Sequence, residues 1–493
     1  MNLHVPEFGF ENTYANELEG FFVPWQAASA PQPELMFLND ELAEELGLKP
    51  ETLKGEAGAA LFSGNQVPDG AALIAQVYAG HQFGGFSAQL GDGRALMLGE
   101  VKNVHGERRD IQLKGSGRTP FSRGGDGKAV LGPVLREYLM GEAMHALSVP
   151  TTRGLAVVTT GEDIQREGTQ PGAVLTRVAA SHLRVGTFQF FAARGEDEKV
   201  RKLADYAIAR HYPHLVDADD KYLAFLSAVI DAQIALVAKW VHVGFVHGVM
   251  NTDNVTISGE TIDYGPCAFI DSYDPAAVFS SIDTGGRYAF GNQPIIAQWN
   301  LARFAETLLP LIDPEDNDNA IRLATNEVNG IPARYTAIWL DGMRHKIGLL
   351  SEEGEDADLI NNMFQTMEGE DVDYTQFFRG LADAAGGKTD LVLDLFSDPV
   401  HITAWLSKWQ DRCLRDPQSP SERRAAMNRT NPIYIPRNHK VEEALDAATQ
   451  GDLEPFERLL DVLSSPYDQR ANLEAYEGPA PSDFGPYKTF CGT

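Results

Sequence analysis

The chain has 493 residues, 43% of them apolar, and carries 41 basic against 70 acidic residues for a net charge of −29. Its length allows several domains or one enlarged two-lobed enzyme, and its apolar fraction is that of a globular protein with ample core. So acidic a balance argues against nucleic acid or an anionic membrane as the main partner, but leaves room for a nucleotide pocket built from a few arginines.

Residues 1–10 have neither the basic nor the apolar segment of a signal peptide. The cysteines, Cys267, Cys413 and Cys491, form no disulfide framework and no zinc-ligand spacing. A reducing, cytoplasmic location is expected. Residues 1–75 mix turns with one short helix over 39–46, and read as an extension packing on a core. Residues 72–106 read as β-structure centred on the glycine turn Gly91-Asp92-Gly93-Arg94, and 109–114 as a further strand. The glycine-rich, basic stretch 116–128 has no periodicity and reads as a loop. Val134, Leu135, Tyr138 and Leu139 fall at helical spacing and predict a helix over 130–147.

Strands are expected over 155–159 and 173–178, then helices over 222–243, 294–311 and 319–349. The most apolar stretch, 222–246, carries Asp231, Gln233 and Lys239, and reads as a buried helix, not a membrane span. The acidic run 352–358 reads as a solvated turn. A β-rich part with one helix followed by an α-rich part is the order of an α+β, protein-kinase-like two-lobed fold. The expected division is an extension over 1–75, a nucleotide-binding N-lobe over 76–195, and an enlarged α-helical C-lobe over 196–493.

The segment His247-Gly248-Val249-Met250-Asn251-Thr252-Asp253-Asn254, followed by Asp263-Tyr264-Gly265, is a kinase catalytic centre with one part replaced. Kinases carry His-x-Asp, an Asn five residues after that Asp, and later Asp-Phe-Gly; the first Asp takes the acceptor proton, and the Asn and second Asp hold the metal. Asn254 and Asp263 stand at the metal positions, but Val249 stands where the base belongs, and a valine accepts no proton. Asp253 is the nearest carboxylate that could replace it. His247, the rival, reads as a structural core histidine.

Upstream parts follow in kinase order. The Gly91–Gly93 turn lets backbone N–H groups approach phosphate, although an ordinary hairpin turn reads the same way. Lys114 ends a strand and could reach a phosphate, and Glu137 in the next helix could pair with it and orient it. The cluster Gly124-Gly125-Asp126-Gly127-Lys128 before the helix suits an anion, or is a flexible loop; both readings stand. Arg177 and Arg184, seven apart, would face opposite sides of a continuous strand and converge only if the chain bends between them. Their apolar neighbours favour partial burial, and buried arginines need anionic partners. Gly386-Gly387-Lys388-Thr389 lacks the first glycine of a Walker A loop, and 355–378 does not match calcium-ligand spacing.

Several long runs carry a resemblance: Tyr78-Ala79-Gly80-His81-Gln82-Phe83-Gly84, Gln89 through Ala95, Gln112 through Arg123, Asp126-Gly127, and the two motifs at 247–254 and 263–266. With softer similarity from Asn12 to His439, the chain resembles the selenoprotein O family, called YdiU in bacteria. The resemblance implies a pseudokinase fold that transfers AMP from ATP to Ser, Thr or Tyr hydroxyls of proteins, with ATP flipped so that its α-phosphate faces the acceptor. It implies nucleotide binding by Gly91, Gly93, Arg94, Lys114, Asp126, Gly127, Arg177, Arg184 and Asp263. It also implies Mg²⁺ or Mn²⁺ at Asn254 and Asp263, and Asp253 as proton acceptor. Cys491 occupies the tail position that the family links to redox control, but no cysteine stands near Phe279, where the resemblance places its partner. UMP transfer, a kinase using Asp253, and a non-catalytic nucleotide-binding scaffold are the alternative readings.

Overall fold

The computed structural model describes residues 7–166 and 168–490. Its strands run β1 (Phe22–Pro24), β2 (Glu34–Leu38), β3 (Ile74–Gln76), β4 (Gly80–Gln82), β5 (Gly85–Ser87), β6 (Ala95–Lys102), β7 (Arg108–Lys114), β8 (Ala129–Val130), β9 (Arg153–Gln165) and β10 (Thr169–Ala179). Of these ten, all but β4 and β5 form one antiparallel sheet in the order β1-β3-β6-β7-β10-β9-β2, with β8 beside β10, and Phe245–Val246 and Ala268–Phe269 add a separate two-stranded ribbon. β4 and β5 make a separate hairpin.

The period-two alternation of strands sorts the side chains. Ile111 and Leu113 of β7 and Val174 and Val178 of β10 turn into a cluster with Leu42, Leu53, Leu61 and Phe62 of the first segment. On the opposite face, Gln112 and Lys114 of β7 lie across from Arg177 and Leu175 of β10. The helix Leu131–Ala146 covers that face, and its buried Leu135, Tyr138 and Leu139 share a cluster with Trp240, Phe245 and Tyr264 of the helical lobe. One apolar core therefore runs through both lobes beside the polar ends of β7 and β10.

The helical lobe is built on Lys221–Val243, Gln293–Ile312 and Asn317–Lys346, which pack on one another. Lys221–Val243 is long and apolar enough to cross a membrane, but its Leu226, Val229, Ile230 and Ile234 lie in the lobe's core beside Phe188 and Phe304. It stops at Gly244, whose φ of 78° is the left-handed conformation a helix end uses. Together, a sheet lobe and a larger helical lobe give the two-lobed, kinase-like arrangement.

Two readings of the chain differ from the structure. The first segment holds more than turns and one helix: it supplies β1 and β2, the outermost strands of the sheet, and the helix Gly55–Phe62. The acidic run turns at 354–355 with Glu352, Glu355 and Asp358 exposed, as read, but Asp356 within it is fully buried and accepts from Arg344 Nε at 3.0 Å and Arg412 Nε at 2.7 Å. Two buried guanidiniums need an anion between them.

Candidate active site

A short ribbon sets the site. Phe245 pairs with Phe269 and Val246 with Ala268, so the segments 247–254 and 263–266 leave one small antiparallel pair together. His247 is buried; its Nε2 bonds the Ile262 carbonyl at 3.0 Å, and burial holds its imidazole below the usual value. It ties the two segments together and is structural. Val249 is buried in the shared core, and its carbonyl accepts from Asn254 Nδ2 at 2.9 Å. The valine thus sits where apolar packing needs it, and its backbone orients the Asn254 amide.

Asp263 has φ +63°, a left-handed conformation uncommon for a residue with a side chain. Its carboxylate collects three cations. Lys114 Nζ donates to Oδ1 at 2.5 Å, Arg177 Nη1 to Oδ1 at 2.7 Å, and Arg184 Nη1 to Oδ2 at 2.9 Å. Glu137 accepts from Lys114 at 2.6 Å and from Arg177 at 3.1 Å, while Gln112 Oε1 holds Arg177 Nε at 2.8 Å. Burial raises the Asp263 carboxyl, but the three cations more than offset it and hold the group well below the ordinary range. The two arginines converge because β10 ends at Ala179 and the chain turns before Arg184 caps the helix Val185–Ala192.

Asp253 lies beside this cluster. Arg184 Nη1 donates to its carbonyl at 2.8 Å, and Gln82 Nε2 reaches its Oδ2 at 3.4 Å. Its Oδ1 is buried with no partner, as is Arg184 Nε. Burial pushes the carboxyl up to about 6, against the pull of Arg184. Gly80 makes the room, since a Cβ there would stand 2.6 Å from Asp253 Oδ1. The β4–β5 hairpin is fastened to the same loop: His81 N donates to Thr252 Oγ1 at 2.7 Å and Phe83 N to Asn251 Oδ1 at 3.0 Å.

A cleft of about 1490 Å³ between the lobes is lined by Gly93, Arg94, Lys114, Glu137, Arg177, Arg184, Asp253, Asn254 and Asp263. Gly91, Asp126 and Gly127 do not line this cleft. A Cβ on Gly91 would meet the Phe121 ring at 2.5 Å, and one on Gly127 would meet the Gly117 carbonyl at 2.2 Å. These glycines allow loop 116–128 to close on the 91–93 turn, where Thr119 Oγ1 donates to the Asp92 carbonyl at 2.6 Å. Asp126 is exposed and clamped by Arg166 at 2.8 and 2.9 Å, and Arg166 lines the cleft. Residues without a recognisable chemical motif complete the site: Tyr78, whose ring lies 4.7 Å from the Arg184 guanidinium; Gln82; and Asp92, which burial pushes up to about 6. Only their place within the quoted family runs could have pointed to Tyr78, Gln82 and Asp92.

The tail closes one wall. Thr489 N donates to the Phe279 carbonyl at 2.8 Å, Ser281 N to the Thr489 carbonyl at 2.9 Å, and Thr489 Oγ1 to the Pro266 carbonyl at 2.7 Å. Hydrogen bonds thus hold the tail at the segment where the resemblance places a cysteine. Cys491 lies outside the described residues. Cys267 is fully buried and its thiol is pushed up to about 11 by burial, which makes it a poor disulfide partner.

No group of three or more His, Cys, Asp or Glu gathers to hold a metal among the described residues. Asn254 and Asp263 together offer an amide and a carboxylate, hard oxygen donors that suit a Mg²⁺-type ion taking its other ligands from phosphate and water. A lysine–glutamate pair, a metal-type Asn and Asp, extra arginines and no kinase base make this the cleft of a nucleotide-using transferase. Residues 5–464 match the family described as "Protein adenylyltransferase SelO". The chain is 59% identical over 488 residues to "Protein nucleotidyltransferase YdiU" of Cereibacter sphaeroides, covering 99% of this chain and 100% of the relative. Proteins of the same name from Pseudarthrobacter chlorophenolicus and Mycobacterium sp. are 56% identical over 486 residues, covering 97% of each chain, and 55% identical over 490 residues, covering 99% and 100%. The chain belongs to the SelO family and is a nucleotidyltransferase enzyme.

Proposed function

We propose that the protein transfers AMP from ATP to Ser, Thr or Tyr hydroxyls of other proteins and releases pyrophosphate. The observation that carries this reading is the convergence of Lys114, Arg177 and Arg184 in one cleft with Asp253, whose Oδ1 is buried without a partner among the described residues. Asp253 receives the proton of the acceptor hydroxyl, the new O–P bond forms at the α-phosphorus, and the bond to the β-phosphate oxygen breaks. A carboxyl near 6 is ionised at neutral pH and basic enough to take that proton.

Lys114, Arg177 and Arg184 hold the departing pyrophosphate. Among the directly paired groups, three cations face the two carboxylates of Glu137 and Asp263, an excess of one positive charge in that set. That set matches the most charged end of ATP, so the terminal phosphates point inward and the α-phosphate faces Asp253 at the mouth. Mg²⁺ or Mn²⁺ held by Asn254 and Asp263 supplies, when bound, further neutralisation of phosphate charge. The two free, buried cysteines and the ATP donor suit the cytoplasm.

Incubation with ATP labelled at either the α- or the γ-phosphate tests the reading. Label from the α-position becomes attached to protein and label from the γ-position does not. Attached γ-label identifies a kinase using Asp253, and no attached label identifies a scaffold. UTP in place of ATP, tested in parallel, separates UMP from AMP transfer.

A further inference from the structure

The β4–β5 hairpin presents an apolar, cationic face next to Asp253. Phe83 and Phe86 are 39% and 44% exposed, and Ile282 across the mouth is 52% exposed. Phe83 has φ +50°, a costly conformation for a bulky side chain and one that glycine would adopt without strain. The strain is held in place by the Phe83 N–H bond to Asn251 and by the Tyr288 ring 5.1 Å from the Phe83 ring. The arrangement keeps an aromatic ring exposed at the cleft mouth, where the nucleotide cations do not reach.

Two arginines flank this face. The guanidiniums of Arg287 and Arg303 lie 4.8 and 5.3 Å from the Trp299 ring, and His81 packs edge-on to the same ring at 5.3 Å. Arg303 pairs with Glu306. Arg287 forms no ion pair with a carboxylate among the described residues, and the nearby Asp283 spends both oxygens on the Arg287 and Tyr288 backbone amides. The Arg287 guanidinium instead stands against Gly84 at the hairpin tip, 3.8 Å from where a Cβ would be. An aromatic-backed arginine without a counter-ion, at the mouth of a cleft in a chain of net charge −29, is complementary to an incoming carboxylate.

We propose that this hairpin, with Ile282, Trp299, Arg287 and Arg303, is the docking surface for the acceptor protein, and that it selects segments bearing an Asp or Glu close to the acceptor hydroxyl. The inference rests on the transferase reading above. The chain's overall field repels strongly acidic proteins at long range, so the fit is to one or two local carboxylates and not to a polyacidic tract. Phe83 and Phe86 supply apolar contact, Arg287 supplies charge selection, and the Asn251–Asp253 loop fixes both relative to the proton acceptor.

The test uses two peptides with the same hydroxyl, one flanked by Glu and one by Lys, and initial rates of α-label transfer from ATP. Wild-type protein is expected to favour the Glu peptide by about tenfold, the scale of one desolvated charge contact. Arg287→Glu reverses the order, and Arg287→Gln, which removes the charge without reversing it, levels the two rates. Phe83→Ala raises KM for both peptides more than it lowers kcat. Thermal melting with and without ATP checks that each variant folds and binds nucleotide. Equal wild-type rates on the two peptides, or an unchanged preference in the Arg287 variants, overturns the docking surface while α-label transfer leaves the transferase reading intact. Absence of α-label transfer to either peptide overturns the selection of short acidic segments. Absence of α-label on any protein overturns the transferase reading with it.

Discussion

Asp263→Ala removes the anion on which Lys114, Arg177 and Arg184 converge. The wild-type ledger is three cations against Glu137 and Asp263, a net of +1; the variant stands at +2. Breaking a buried pair by removing one partner costs ~3–5 kcal/mol. Here Lys114 and Arg177 keep Glu137, and the Asp263 side chain is 22% exposed, so the lower part of that range or somewhat less, ~2–3 kcal/mol, is expected. Unfolding entropy of ~2.1 cal/mol/K per residue gives ~1 kcal/mol/K for a chain of this length, so melting should fall by only ~2–3 °C if the chain unfolds as one unit. Transfer should fall far more, by at least ~10²–10³-fold, because the variant lacks the carboxylate that positions Lys114, Arg177 and Arg184 and that would hold the metal on the phosphates. Metal-free ATP should bind the variant at least as tightly as wild type, since the pocket has gained positive charge. Calorimetric melting, α-label transfer and ATP titration in chelator read the three quantities separately. Wild-type turnover by Asp263→Ala refutes its place at the centre of the site, and weakened metal-free ATP binding refutes the charge ledger.

Asp253→Asn should lower transfer by ~10²–10⁴-fold with ATP affinity little changed, measured by single-turnover labelling and ATP titration; full activity would end its role as proton acceptor. Arg184→Ala should lower transfer sharply while circular dichroism stays that of wild type, because it removes a phosphate clamp and not an apolar core side chain. Glu260 is half-buried and its carboxyl is pushed up to about 7 by desolvation, so the stability its protonated form contributes is fully present below about 4.5 and lost as pH rises through about 7. The melting temperature of Glu260→Gln relative to wild type should therefore rise between pH 5 and 8, by no more than the ~3 °C that a shift of this size allows; a pH-independent difference would contradict the burial argument. Cys267 should resist alkylation in the native protein and react on unfolding, read by intact mass; rapid native labelling would contradict its burial.

The catalytic order was legible because each part has a residue type that chemistry restricts. A strand lysine, a helix glutamate, an Asn and an Asp at fixed spacing point to one arrangement, and Lys114, Glu137, Asn254 and Asp263 meet at one cleft. Arg177 and Arg184 were legible only as a condition, since local sequence does not show whether a strand bends. Gly91 and Gly127 were read for phosphate approach, and the structure shows close contacts to Phe121 and Gly117 that no spacing rule reveals. β1 and β2 were missed because three- and five-residue runs carry too little periodicity, and their partners lie far along the chain; Leu35 faces Val158. Asp356 was misread because its two arginines arrive from positions 344 and 412.

The outermost strands of the sheet both come from the first forty residues, and both are built to refuse further pairing. Pro24 in β1 has no N–H to offer, and β2 carries a bulge between Leu35 and Phe37. Without them the newly open edges would be β3 and β9, whose Ala75 and Ala156–Val158 are fully buried in the intact protein. A chain shortened past residue 40 would keep every cleft residue named above and still expose two apolar, hydrogen-bond-hungry edges, the short β3 and the long β9. Its fate is set by self-association before catalysis: such a protein precipitates, and lost activity in it says nothing about the cleft.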